Sequence, residues 1–165
     1  YLSQDRMDIQ FAAKEACRGM SKLKRKDNRK LKRLAKYLIQ NPRLTYEFQS
    51  RFRDDDDHAH LDVYTDSGWA ERKEFRQSTS GGVVMFEGSV VKTWSSAQAS
   101  VAQSSGEAEY YALVRAAAEG LGMQSVMQDL GWKMRVRLWV DSSAAKSIAS
   151  RVGLGRVRHL EVKCL

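Results

Sequence analysis

Three carboxylates in the 165-residue sequence are set where chemistry is possible: Asp66, Glu109 and Asp141. Two share a context. Leu61 to Thr65 is a β-type run ending in Asp66-Ser67-Gly68, and Val136 to Val140 is another ending in Asp141-Ser142-Ser143. Each places an acid at the C-terminal end of a predicted strand, followed by a small residue that leaves space. In open α/β sheets, sites form just outside the carboxyl ends of strands. The third acid belongs to a predicted helix. Ser104, followed three residues later by Glu107, reads as a capping box that starts it. Steps of i+3, i+4 and i+7 from Glu109 land on Ala112, Leu113 and Ala116, the stripe that faces a core. An ionised carboxylate there is costly unless a cation meets it. If the two strands are neighbours and the helix packs on their sheet, the three acids converge. They then stay ionised only with cations present. Hard oxygen ligands select magnesium, with manganese possible, over zinc. Two such ions serve in-line displacement at phosphorus, one activating water and the other stabilising the leaving oxygen. Taken singly, each carboxylate reads more readily as structural than as catalytic, the aspartates as turn residues or helix caps, Asp141 for the helix beginning near Ser143. The joint order of strand–Asp, hairpin, helix–Glu and strand–Asp favours the metal reading.

The elements that must position these acids are legible in the pattern. Gly81-Gly82 precedes the apolar run Val83 to Phe86, Glu87-Gly88-Ser89 turns the chain, and Val90 to Trp94 returns, which predicts a hairpin. The capped helix is predicted from Ser105 to about Leu130, with irregularities at Gly120 and Gly122 and a stop at Gly131. Before the sheet, a helix is predicted over Met7 to Met20, with Ile9, Ala12, Ala13, Ala16 and Cys17 as its apolar stripe. Asp27 is placed to cap a second helix with Leu31, Leu34, Ala35 and Leu38 on one face. Pro42 ends that helix after Asn41. Its other face carries Lys24, Arg25, Lys26, Arg29, Lys30 and Arg33. Such a density of one sign repels itself unless an anion lies against it, so phosphate-backbone contact competes with a merely solvated face. Leu44 to Phe48 is strand-like. The run Asp54-Asp55-Asp56-Asp57-His58 reads as a solvated acidic linker rather than a metal site, since adjacent linker residues do not converge on one ion.

Composition agrees with a basic intracellular protein. Hydrophobic residues make up 42%, enough for a core, and the net charge of +8 favours a polyanionic partner, nucleic acid first. Cys17 and Cys164 form neither a metal-type spacing nor a disulfide framework. No long apolar run spans a bilayer, so no membrane partner is expected.

Six collinear motifs carry a resemblance: Leu-Asp-Val-Tyr-Thr-Asp-Ser-Gly-Trp-Ala at 61–70, Ser-Thr-Ser-Gly-Gly-Val-Val at 78–84, Trp-Ser-Ser-Ala-Gln at 94–98, Ser-Ser-Gly-Glu-Ala-Glu-Tyr-Tyr-Ala-Leu at 104–113, Leu-Trp-Val-Asp-Ser-Ser-Ala-Ala at 138–145 and Arg-His-Leu-Glu at 158–161. Residues 61–165 closely resemble the ribonuclease H domain of copia-type retrotransposon Pol polyproteins. Residues 1–53 resemble the C-terminal, thumb-like end of the reverse transcriptase, through Asp8-Ile9-Gln10-Phe11-Ala12 and the basic Leu31–Leu38 helix, and 54–60 form the linker. The resemblance implies an α/β ribonuclease H-like fold, a mixed five-stranded sheet flanked by helices. It implies magnesium-dependent hydrolysis of the RNA strand of RNA–DNA hybrids during reverse transcription, with the rest of the polyprotein as partner. Asp66, Glu109 and Asp141 match the first three catalytic, metal-binding carboxylates; Glu107 matches none. Ser67 and Ser142 are candidates for contacts to the hybrid's phosphates and 2′-hydroxyls. Gly68 stands where the family has a second acid, and Gln103 where it has an apolar residue, whose burial without a partner would cost about 1–3 kcal/mol. The family continues through a last strand and a C-terminal helix bearing a fourth carboxylate. This sequence ends before both, so a C-terminally incomplete domain is expected. Glu161 is not that fourth acid, and His159 reads as structural or phosphate-contacting. Two further readings compete: a catalytically inactive, nucleic-acid-binding remnant of a retroelement, and a relative of DNA transposases or resolvases that share the carboxylate sheet.

Overall fold

A computed structural model describes residues 2–48, 59–72 and 75–151. The aspartate run with His58, and the segment holding His159, Glu161 and Cys164, lie outside the described residues.

Four strands, β1 (Ala59–Arg72), β2 (Gln77–Phe86), β3 (Ser89–Ala97) and β4 (Met134–Trp139), form one sheet in the order β3-β2-β1-β4. β1 pairs antiparallel with β2, β2 antiparallel with β3, and β1 parallel with β4. The sheet is therefore mixed, and the molecule is α/β. The β2–β3 hairpin closes through Glu87 and Gly88, with φ of 45° and 81°. Positive φ at both central residues gives a tight turn whose twist suits the flanking strands. β1 alternates as a half-covered strand should: Leu61, Val63 and Thr65 are buried while Tyr64 and Asp66 are exposed.

The covering element is α4 (Ser105–Asp129), the long helix between β3 and β4. Its Ala116 joins Leu61, Val63, Val84, Trp94 and Met134 in the main core. Gly120 explains how closely it lies: a Cβ there would stand 2.8 Å from Val136 Cγ1 and 3.0 Å from Val63 Cγ2. The expected irregularities at Gly120 and Gly122 do not occur; the helix runs through both, because Gly120 serves packing against the sheet. The stop at Gly131 is as expected. Its φ is 87°, its N–H reaches the Gln128 carbonyl at 2.9 Å, and the Trp132 N–H reaches Met127 at 2.9 Å. That pair of bonds is a Schellman ending.

The N-terminal part comprises α1 (Leu2–Asp5), a single 3-10 turn at Met7–Ile9, α2 (Gln10–Cys17), a second such turn at Met20–Lys22, and α3 (Arg25–Gln40). The first predicted helix is thus shorter than expected, and only Ile9 and Ala16 of its stripe are buried; Ala12 and Cys17 are exposed. Asp27 is not the cap itself. α3 starts at Arg25, and the buried Asp27 carboxylate accepts the Lys24 N–H at 3.0 Å from within the first turn. α3 ends before Asn41 and Pro42, as expected. Leu44–Phe48 forms no strand; it is irregular, with the Tyr46 hydroxyl accepting the Met7 N–H at 3.0 Å. Asp8 takes two bonds from Arg6 and one from the Tyr37 hydroxyl, which ties α3 to the preceding turn and lowers the Asp8 carboxyl to about 2. α2 docks on the sheet through polar bonds. Thr93 Oγ1 donates to Gln10 Oε1 at 2.8 Å, and Lys14 Nζ donates to Thr79 Oγ1 at 3.1 Å. β1 starts at Ala59, so Ala59 and His60, expected in the linker, belong to the sheet. Among the described residues, no helix is long and apolar enough to cross a membrane.

Candidate metal centre

The β1–β4 register decides where the two aspartates fall. Tyr64 pairs with Trp139, the last pair of the parallel ladder. Two residues beyond each lie Asp66 and Asp141, so both leave the ladder side by side. The ladder is locked just before them. The Asp62 carboxylate accepts two bonds from Arg137, both 2.7 Å, and one from the Trp139 indole N–H at 2.7 Å. The Tyr64 and Trp139 rings stack with centroids 5.8 Å apart.

One expectation needs correction. Asp66 is not at the end of its strand; β1 continues to Arg72 because β2 keeps pairing with it, Asp66 opposite Gly81 and Ser67 opposite Ser80. Relative to β4, however, Asp66 stands past the ladder's end, which is what the convergence requires. β4 itself stops at Trp139, and Asp141 lies in the turn to α5 (Ser143–Ala149). Ser142, not Asp141, caps α5, accepting the Ala145 N–H at 3.2 Å. Asp141 is thereby left for the site, while the Ser142 hydroxyl is already engaged as an acceptor.

Glu109 arrives from the first turns of α4. Ser104 Oγ accepts the Glu107 N–H at 3.2 Å, and the buried Glu107 carboxylate accepts the Gln103 N–H at 2.8 Å and the Tyr111 hydroxyl at 3.0 Å. Glu107 is structural, but its carboxylate takes the Gln103 N–H where a capping box would have it reach the N–H of Ser104. Gln103 is exposed, so its amide carries no burial cost. Gly106 allows Ala144 of α5 to close on this turn, since a Cβ there would stand 2.9 Å from Ala144 Cβ. Tyr110 and Ala145 bury together beside Val140 and Ile148, holding the Asp141 turn against α4.

The result is a triad. One carboxylate oxygen each from Asp66, Glu109 and Asp141 lies within 4.8 Å of the other two. Asp66 and Asp141 are exposed and Glu109 is half-buried. Burial foremost, and then the Asp66 and Asp141 charges, push the Glu109 carboxyl above its ordinary range; Ser67 opposes this in part. Neither Ser67 Oγ nor Glu109 Oε2 has an aligned hydrogen-bond partner, although both atoms are buried. A buried carboxylate oxygen without a donor, facing two further acids, has the donor chemistry of a site for a hard divalent cation. The residues present fit magnesium or manganese.

Two residues that sequence reasoning passed over organise this rim. Thr65 Oγ1 bonds the Gly81 carbonyl at 3.0 Å and the Ala112 carbonyl at 3.3 Å, and Gln98 bridges β2 to α4. For Thr65, a polar residue within a strand pattern is the signal; Gln98 lies just past β3 and carries no such mark. The other predicted contacts lie elsewhere: Lys24 precedes α3, and Arg25, Lys26, Arg29, Lys30 and Arg33 are exposed along it. Of these, Lys30 reaches Glu15 at 3.5 Å, and Arg25, Lys26, Arg29 and Arg33 have no acidic partner among the described residues. No protein-family model matches the chain.

Proposed function

We propose that this chain is the ribonuclease H-like part of a copia-type retrotransposon polyprotein, joined to the end of its reverse transcriptase, and that it hydrolyses the RNA strand of RNA–DNA hybrids. The observation that carries the reading is the meeting of Asp66, Glu109 and Asp141, acids far apart in sequence, at one rim of a mixed sheet with a carboxylate oxygen left unsatisfied. Sheet class and acid order agree with what the motif resemblance implies. Asp66, Glu109 and Asp141 would hold the divalent ions. When bound there, such ions supply Lewis-acid stabilisation for in-line displacement at a phosphodiester.

The chain's own groups do the rest. Exposure of Asp66 and Asp141 leaves the rim open to a wide polymeric substrate, while half-burial of Glu109 anchors the site to the core. Arg25, Lys26, Arg29 and Arg33 of α3, without an acidic partner among the described residues, offer a second, sequence-independent hold on a phosphate backbone. Both features suit a hybrid better than a small phosphate ester.

The test is cleavage of a hybrid labelled on its RNA strand, with magnesium, manganese or EDTA. Metal-dependent cleavage is expected. Asp141→Asn and Asp66→Asn should each abolish turnover while hybrid affinity stays within about twofold, because α3 contributes binding and the acids contribute chemistry. Turnover retained by Asp141→Asn removes that residue from the site. Hybrid binding without cleavage by the unaltered chain identifies the inactive remnant, and cleavage of duplex DNA instead identifies the transposase-like relative.

A further inference from the structure

Gln98 lies just past the end of β3 and is 7% exposed. Its side-chain nitrogen donates to Ser80 Oγ at 2.9 Å and to the Ala108 carbonyl at 2.8 Å. Its backbone is equally held: the N–H donates to the Ser78 carbonyl at 2.9 Å, and its own carbonyl accepts from Gln77 Nε2 at 2.9 Å. A carbonyl only accepts, so the bond to Ala108 fixes which way the amide points.

Both ends of this bridge adjoin the acids. Ser80 is the register partner of Ser67, the residue after Asp66. Ala108 is the residue before Glu109. Thr65 makes a comparable tie, but to Ala112, one turn farther along α4. Gln98 is therefore the tie at the turn of α4 that bears Glu109. A helical turn is stiff, so displacing the Ala108 carbonyl displaces Glu109 with it. We propose that Gln98 is a positioning residue for the metal centre: its buried amide sets the separation between Glu109 and the Asp66–Ser67 segment by bridging Ala108 and Ser80. The tie is specific in chemistry as well as reach, for it needs a donor facing Ala108 and enough length to span from β2 to the helix.

The inference rests on the metal-centre reading above, and its test separates the two. The full chain is titrated with Mn²⁺ alone by calorimetry, melted in EDTA, and assayed on labelled hybrid. Gln98→Met keeps the length and loses both bonds. It should weaken Mn²⁺ binding by about tenfold, the scale seen when a supporting hydrogen bond to a ligand set is removed. It should lower kcat by a similar factor, leave KM within about twofold, and preserve helix content. Gln98→Asn, an amide one methylene too short, should behave the same way. Unchanged Mn²⁺ affinity in either folded variant overturns the assignment. So does loss of the fold in both, which makes Gln98 purely a core residue. If the unaltered chain binds Mn²⁺ no more tightly than Asp66→Asn does, the metal centre itself is refuted and there is nothing for Gln98 to position.

Discussion

Burial, reinforced by the neighbouring Asp66 and Asp141 charges, holds the Glu109 carboxyl above its ordinary range. An acid whose folded pKa is raised takes up a proton on folding across the interval between its unfolded and folded values. Stability contributed by this group therefore falls as pH rises from the ordinary value of 4.5 through the raised one, and the cost is fully present above it. Glu109→Gln removes that cost. In EDTA at neutral pH it should raise the melting temperature, by only a few degrees because solvent screens a half-exposed group. The difference from the unaltered chain should vanish as pH falls below the ordinary glutamate value. A divalent cation relieves the same cost by pairing with the ionised carboxylate, and protons compete with it in acid, so Mn²⁺ should raise the melting temperature more at neutral pH than in acid. A variant no more stable than the parent in EDTA, at any pH, removes the electrostatic strain assigned to Glu109.

At the level of elements, α4 is what turns the two aspartates past the β1–β4 ladder into a triad, and two glycines two positions apart divide its labour. Gly120 faces Val136 and Val63 at contact distance, whereas a Cβ on Gly122 would meet nothing within 4 Å. Replacing glycine by alanine in a helix gains about 1 kcal/mol where there is room. Gly122→Ala should therefore raise the denaturant midpoint by roughly that free energy. Gly120→Val meets the sheet instead, and overpacking costs about 1–3 kcal/mol. It should lower the midpoint with an unchanged slope and, by lifting α4, weaken Mn²⁺ binding too. Equal effects at the two positions would contradict the close approach of α4 to β4.

Across the whole molecule, charge is segregated. The +8 net charge coexists with a cluster of three acids, and much of the excess cation lies along the exposed side of α3. Leu31, Leu34 and Leu38 are only half-buried, so α3 owes its place to α2 and to the Arg6–Asp8–Tyr37 bonds more than to a deep core. Alanine at Arg29, Lys30 and Arg33 together should weaken hybrid binding at low salt and flatten the dependence of log affinity on log salt, by about 1 for each phosphate no longer neutralised. Cleavage at saturating hybrid should be nearly unaffected. An unaltered salt slope would show that α3 is a solvated face and nothing more.

What the chain alone determined was periodic or local. The alternation of Leu61, Val63 and Thr65, the hairpin around Glu87 and Gly88, the Ser104 cap, the Gly131 stop, and the inward aspect of Glu109 all follow from spacing within one element. So did the choice of three acids, because Asp141 and Glu109 sit beside boundaries that local signals mark and Asp66 stands where an apolar β-type run gives way to Ser67-Gly68. Where Asp66 falls within β1 was not legible, since strand length depends on how far β2 keeps pairing. The exposure of Ala12 and Cys17, the irregular course of Leu44–Phe48, and the clamp by Gln98 were equally hidden. Each depends on partners distant in sequence. The convergence itself belongs to this second kind: the Tyr64–Trp139 register, set by pairing between segments separated by the hairpin and α4, brings Asp66 beside Asp141, and no spacing along the chain encodes a register between strands so far apart.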